Sequence, residues 1–167
     1  GLYDPAYEHD ACGVAFVVRL DAVPSHETVR RAIVALENLE HRGASGADPD
    51  TGDGAGMLLQ LPDAFFRGVV EEPLPPAGAY GVAVCFMPHD PRRRQELERL
   101  LADTVEAEGQ RVVCWRNVEV DTNHVGRVSG EARPYTEHLV VAASPELAGD
   151  QDAFERKLYV IRRVAEL

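Results

Sequence analysis

The sequence predicts an α+β domain in which sheets lie between layers of helix. Runs of strand length alternate with stretches of helical periodicity, in the order strand, helix, strand, helix, strand, helix, strand, strand, helix. Several of the strand runs are nearly continuous in apolar residues, the pattern of a sheet covered on both faces. The chain has 167 residues, 45% of them hydrophobic, enough to bury one core without help from a metal or a disulfide. A doubly wound parallel sheet is the competing arrangement of the same elements.

Each element has its own signal. After a polar start, Cys12-Gly13 leads into residues 14–20, a β-branched and aromatic run that predicts a buried strand. Pro24-Ser25 supplies a turn and an N-cap, and Val29, Ile33, Leu36 and Leu39 recur at helical spacing until His41-Arg42-Gly43 ends the pattern. Residues 43–56 are rich in glycine and aspartate and form a loop with special backbone angles; residues 57–61 resume a strand. Residues 62–70 predict a short helix with Phe65, Phe66 and Val69 on its apolar side, followed by a proline-rich turn. Residues 80–87 predict a strand. In the helix expected over 91–108, Leu97, Leu101, Thr104 and Val105 face inward and Arg92 to Arg94 outward. Strands are expected over 112–120 and 138–143. A last helix over 150–167 carries Phe154, Leu158, Ile161 and Ala165 on one stripe and opens with acidic residues suited to a helix N-terminus. That stripe breaks off at Leu167 without a cap, and the chain opens on Gly, so it is expected to be part of a longer protein.

Charge and cysteine usage exclude several classes of partner. Lys and Arg number 17 against 28 Asp and Glu, and a formal charge of -11 repels a phosphate backbone, so nucleic acid is not an expected partner. No apolar run reaches the roughly 18 residues of a membrane span, and the first residues do not resemble a signal peptide. Cys12, Cys85 and Cys114 are too few and too far apart for a disulfide framework or a CxxC clip, and a cytoplasmic location suits them.

Cys12 is the sharpest candidate for chemistry. It stands before a glycine at the tip of an apolar strand run, behind a leader without a packing signal. A thiol needs a base to become the nucleophilic thiolate. Removal of residues 1–11 would free the α-amine of Cys12, with a reference pKa of about 7.7 to 8.0, to accept the thiol proton through water; an amide nitrogen cannot do so. The bland alternative is a small buried hydrophobe, which is the reading for Cys85 and Cys114. Arg42, just after a helix and before Gly43, could aim its fork of donors at a carboxylate, or simply complement the helix dipole; His41 caps or packs. Asp48, Asp50 and Asp53 invite a calcium reading, but the third carboxylate is displaced and Leu59 stands where the bidentate Glu belongs. The glycines around Asp53 lead into a strand and not a helix, so they do not make a phosphate cradle. No metal site is expected.

GLYDPAYEHDACGVAF, LENLEHRGASGADPDTGDGAGMLLQLPDAFF and FERKLYVIRR resemble, in order and spacing, the start of glutamate synthase large subunits, and the likeness runs over essentially the whole chain. The resemblance implies the four-layer αββα sandwich of N-terminal nucleophile hydrolases, of which this chain holds the N-terminal part. It implies a leader over 1–11 and a glutaminase (amidotransferase type 2) segment over 12–167. Cys12 would attack the side-chain amide of L-glutamine, and Arg42 and Gly43 would bind substrate or support the site. The family's oxyanion-hole Asn-Gly pair and its carboxylate-binding arginine are expected beyond Leu167, so the chain alone is expected to be nearly inactive, since one lost oxyanion donor costs roughly 3 to 4 kcal/mol. FMN and an iron-sulfur cluster are expected in other domains, and a small NADPH-oxidising subunit as partner. Another class II amidotransferase, making a purine precursor or an amino sugar, and a non-catalytic interaction module of the same fold are the alternatives.

Overall fold

The computed structural model describes residues 13–39 and 54–166. Of these, 13–39, 54–60 and 122–132 form one compact unit, and 61–121 with 133–166 form a second.

In the first unit, Pro24-Ser25 starts α1 (His26–Asn38): the Ser25 hydroxyl accepts from the Glu27 amide, which satisfies one of the helix's free donors. The helix ends at the Leu39 cap, whose N–H returns to the carbonyls of Leu36 and Glu37. Its apolar stripe is only half covered: Val29, Leu36 and Leu39 are half-buried and Ile33 is exposed. The strand expected over 14–20 is not formed. Residues 13–19 are irregular and exposed, with Phe16 at 89%. The same holds for the strand expected over 57–61, where Leu58 is fully exposed. A strand exists through its neighbour's N–H and C=O groups, and no strand pairing among the described residues involves either run. A short helix, α4 (Arg127–Ala132), lies where the sequence pattern marked none.

The second unit is built on a three-stranded sheet. It contains α2 (Asp63–Val69), β1 (Tyr80–Met87), α3 (Pro91–Ala107), β2 (Arg111–Asn117), β3 (Tyr135–Ala142) and α5 (Gln151–Ala165). The strand order is β1-β3-β2 and both pairings are antiparallel, so the doubly wound parallel sheet is excluded for this unit. β1 and β2 therefore run parallel to each other with β3 between them, and α3 carries the chain across. Leu139 and Val141 of β3 meet Val105 of α3 and Phe154 and Ile161 of α5. On the other face, Val140 packs with Tyr80, Cys114 and Phe66 of α2. Burial on both faces explains the continuous apolar run of β3.

Local chemistry sets the ends of these elements. Asp90 caps α3 by accepting from the Arg93 amide at 2.8 Å, with Pro91 pre-set for the first turn. Gly109 ends that helix in the left-handed conformation, φ +76°. Asp150 caps α5 by accepting from the Ala153 amide. β2 stops at Asn117, short of the expected residue 120. One further bond joins the Val118 amide to the Thr136 carbonyl, and beyond it Pro134 on the partner strand has no N–H to give. Arg94, expected to face outward, instead lies over the Tyr135 ring, 4.0 Å from its centroid. Gly81 lets α5 approach β1 closely: a Cβ there would sit 2.5 Å from Leu158 Cδ1.

Candidate active site

Cys12, Arg42 and Gly43, with His41, Asp48, Asp50 and Asp53, lie outside the described residues. Their immediate flanks do not. A Cβ built on Gly13 would stand 3.0 Å from Leu39 Cδ2 and 3.1 Å from its Cβ and Cδ1. The backbone that follows Cys12 thus rests directly on the cap of α1, three residues ahead of Arg42. Gly13 is a residue whose role sequence reasoning missed. Its signal was a glycine placed directly after the cysteine in an otherwise apolar run.

α1 carries this contact on a framework of charges. Glu27 accepts from Arg30 Nε at 2.7 Å and Arg31 Nε at 2.9 Å, and these bonds pull its carboxyl down to about 2. Arg19 pairs with Asp21, which also accepts from the Val23 amide. A groove between residues 17–21 and the start of α1 is lined by these same side chains. Each of Arg19, Asp21, Glu27 and Arg31 already has an opposite partner, so the groove presents no spare charge to a substrate carboxylate.

Neither of the other two cysteines offers a ready thiolate. Burial pushes the Cys85 thiol up to about 11, reinforced by Glu137. Burial does the same for Cys114, again to about 11, reinforced by Glu72. Both remain protonated near neutral pH and behave as core residues. They lie on opposite faces of the sheet and so cannot hold a common cluster. Among the described residues no group of three or more His, Cys, Asp or Glu side chains could hold a metal ion. No helix among them is long and apolar enough to cross a membrane.

The sequence pattern of the glutamine amidotransferases class-II matches residues 12–167. The chain belongs to this family. As a class-II amidotransferase sequence it is 42% identical over 99% of its length to the glutamate synthase (NADPH) large chain of Bacillus subtilis (strain 168), covering 11% of that protein. It is 38% identical over 99% of its length to the ferredoxin-dependent glutamate synthase 1, chloroplastic/mitochondrial, of Arabidopsis thaliana, covering 10%. It is 35% identical over 98% to the glutamate synthase (NADPH) large chain of Azospirillum brasilense, covering 11%. The chain therefore spans about a tenth of the length of the curated relatives it matches. The resemblance read from the sequence is thereby borne out at the level of the class-II family and of these relatives.

Proposed function

We propose that this chain is the front of the glutaminase domain of a glutamate synthase large subunit, and that Cys12 is its nucleophile once residues 1–11 are removed. The observation that carries the reading is that the family match begins on Cys12 itself and leaves residues 1–11 outside it. The protonated state of Cys85 and Cys114 supports the choice among the three thiols.

The freed α-amine of Cys12 takes the thiol proton through water, and the thiolate attacks the side-chain amide carbon of L-glutamine. The tetrahedral oxyanion collapses, the amine proton passes to the departing nitrogen, and ammonia leaves behind a γ-glutamyl thioester. Water then cleaves the thioester to glutamate and restores the thiol. The net reaction is glutamine plus water to glutamate plus ammonia. Arg42 holds or braces the substrate, and Gly43 allows close backbone approach; the Gly13–Leu39 contact supports their placement beside Cys12. The oxyanion donors belong to later residues of the full protein, which passes the ammonia to a site making glutamate from 2-oxoglutarate.

The four-layer αββα sandwich is part of the same proposal. It is supported by the sheet face bearing Val84 and Phe86, 55% and 72% exposed, an apolar surface that a second sheet would cover. FMN and an iron-sulfur cluster would supply redox chemistry in other domains of the full protein. A small NADPH-oxidising subunit and a cytoplasmic location complete the reading. Intact mass measurement of the full-length protein should find it starting at Cys12, and a diazoketone analogue of glutamine should label that thiol alone. A fully active enzyme retaining residues 1–11 overturns the mechanism. A complete domain that releases no ammonia from glutamine makes the chain a non-catalytic module instead.

A further inference from the structure

Glu137 is a carboxyl in the wrong place for an ordinary surface acid. It sits on the central strand β3, between Cys85 of β1 and Asn117 of β2, on the face that carries α3 and α5. It is 7% exposed, and its Oε2 has no hydrogen-bond partner among the described residues. A buried anionic oxygen without a donor is costly, whereas a neutral carboxyl oxygen is far less so. Glu98 of α3 faces Glu137: it lies one turn from Arg94, which covers Tyr135, and one turn from Leu101, which packs on the cluster of Leu139 and Val141. Two carboxyl groups can share a hydrogen bond only if one of them holds a proton.

The surroundings offer one positive charge for two acids. Arg94 Nε stands 3.7 Å from Glu98 Oε1, and its guanidinium lies over Tyr135 while donating to the Pro88 and His89 carbonyls. β1 contributes the Cys85 thiol, neutral because burial holds it near 11. The neighbours from β2 are Asn117 and Trp115, and α5 presents Phe154, Leu158 and Ile161; none of these is charged. His138 is on the opposite face, against Phe66 and Arg116. A proton on Glu137 removes the uncompensated buried charge and turns its orphan oxygen into a donor.

We propose that Glu137 holds a proton and donates it in a hydrogen bond to Glu98 across the contact of β3 with α3, forming a pH-sensitive latch. With the proton present α3 is held on the sheet; when it leaves, a buried Glu137 carboxylate faces the half-buried Glu98 beside one arginine, and α3 loosens. Burial first, then Glu98, raises the Glu137 pKa above its ordinary 4.5. The folded state therefore binds the proton more tightly than the opened state. The stabilisation is complete below about 4.5 and is lost as pH rises through the folded value.

The test is hydrogen exchange by mass spectrometry on the full chain from pH 4 to 8, corrected for intrinsic chemistry, following peptides from 91–107 and 135–142. Wild-type protection should fall as pH rises, by at most about tenfold per pH unit, the limit for one proton. Glu137→Gln keeps the shape without the acid, so its protection should stay flat and exceed wild type at pH 8. Glu98→Gln removes the like charge, so its fall should be smaller and complete at lower pH. His138 contributes equally to wild type and both variants and drops out of the comparison. Parallel profiles for wild type and Glu137→Gln overturn the latch, as does loss of protection in Glu137→Gln at every pH. Should Glu137→Gln fail to fold, a Glu98→Gln profile identical to wild type overturns it alone.

Discussion

Residues 14–20 and Tyr80–Met87 are both apolar runs of strand length, yet one is an irregular exposed segment and the other a paired strand at the edge of a sheet. The difference lies outside the runs. Tyr80–Met87 has β3 beside it in continuous register, from Tyr80 opposite Ala142 to Met87 opposite Tyr135. No strand among the described residues pairs with 14–20. The comparison extends to the units that contain them: the first flanks the chemical motifs with little buried surface, and the second holds a packed core around β3. An apolar run states a capacity to be buried, and a neighbour decides whether it is.

The sharpest separation of the two units comes from Cys12→Ala. Glutamine hydrolysis by the full-length protein should fall at least about 10³-fold, since removing the proposed nucleophile abolishes the covalent route. In this chain, whose sole tryptophan is Trp115 against the core of the second unit, its fluorescence should show unchanged urea unfolding. A shifted unfolding midpoint would break the division of labour. Phe154→Ala empties a position that is 1% exposed and should cost about 3 to 5 kcal/mol by the same tryptophan readout. Gly81→Ala forces a methyl into Leu158 and should cost about 1 to 3 kcal/mol.

Two smaller effects sharpen the contrast. Burial first, then Arg116, holds the His138 pKa below its ordinary 6.5, so the folded state resists a proton that the unfolded chain accepts. The stability of the second unit should therefore decline as pH falls from about 7 toward the folded value, and His138→Gln should lack that component in urea titrations. Phe16→Ser should change the stability of this chain by less than about 0.5 kcal/mol, because an exposed ring has little to lose. A loss of several kcal/mol would show residues 14–20 to be buried like Tyr80–Met87.

Much of the second unit was legible because local signals coincide there. Pro91 marks the start of α3, the acidic opening from Asp150 that of α5, and residues 80–87 match β1 at both ends. Ser25 marked α1 in the same way. α4 was not legible: its six residues include Gly130, too short and too glycine-broken for a periodic pattern, and an Arg127–Glu131 pair spans its single long turn. Arg94 was misread because Tyr135, distant along the chain, takes its guanidinium. In the candidate site, Cys12, Arg42 and Gly43 came from their motifs, while the seating of Gly13 on Leu39 needed coordinates, since it joins segments distant in sequence.

The sequence by itself determined the family, the candidate nucleophile and most of the helix and strand positions, because caps, periodicity and motif spacing are properties of neighbouring residues. Only the tertiary structure decided that the sheet is antiparallel with β3 at its centre, that residues 14–20 stay unpaired, and that Glu137 is buried against Glu98. Those outcomes depend on which distant groups meet, and the free energy of a buried charge or a strand pair is set by the partner, not by the residue alone.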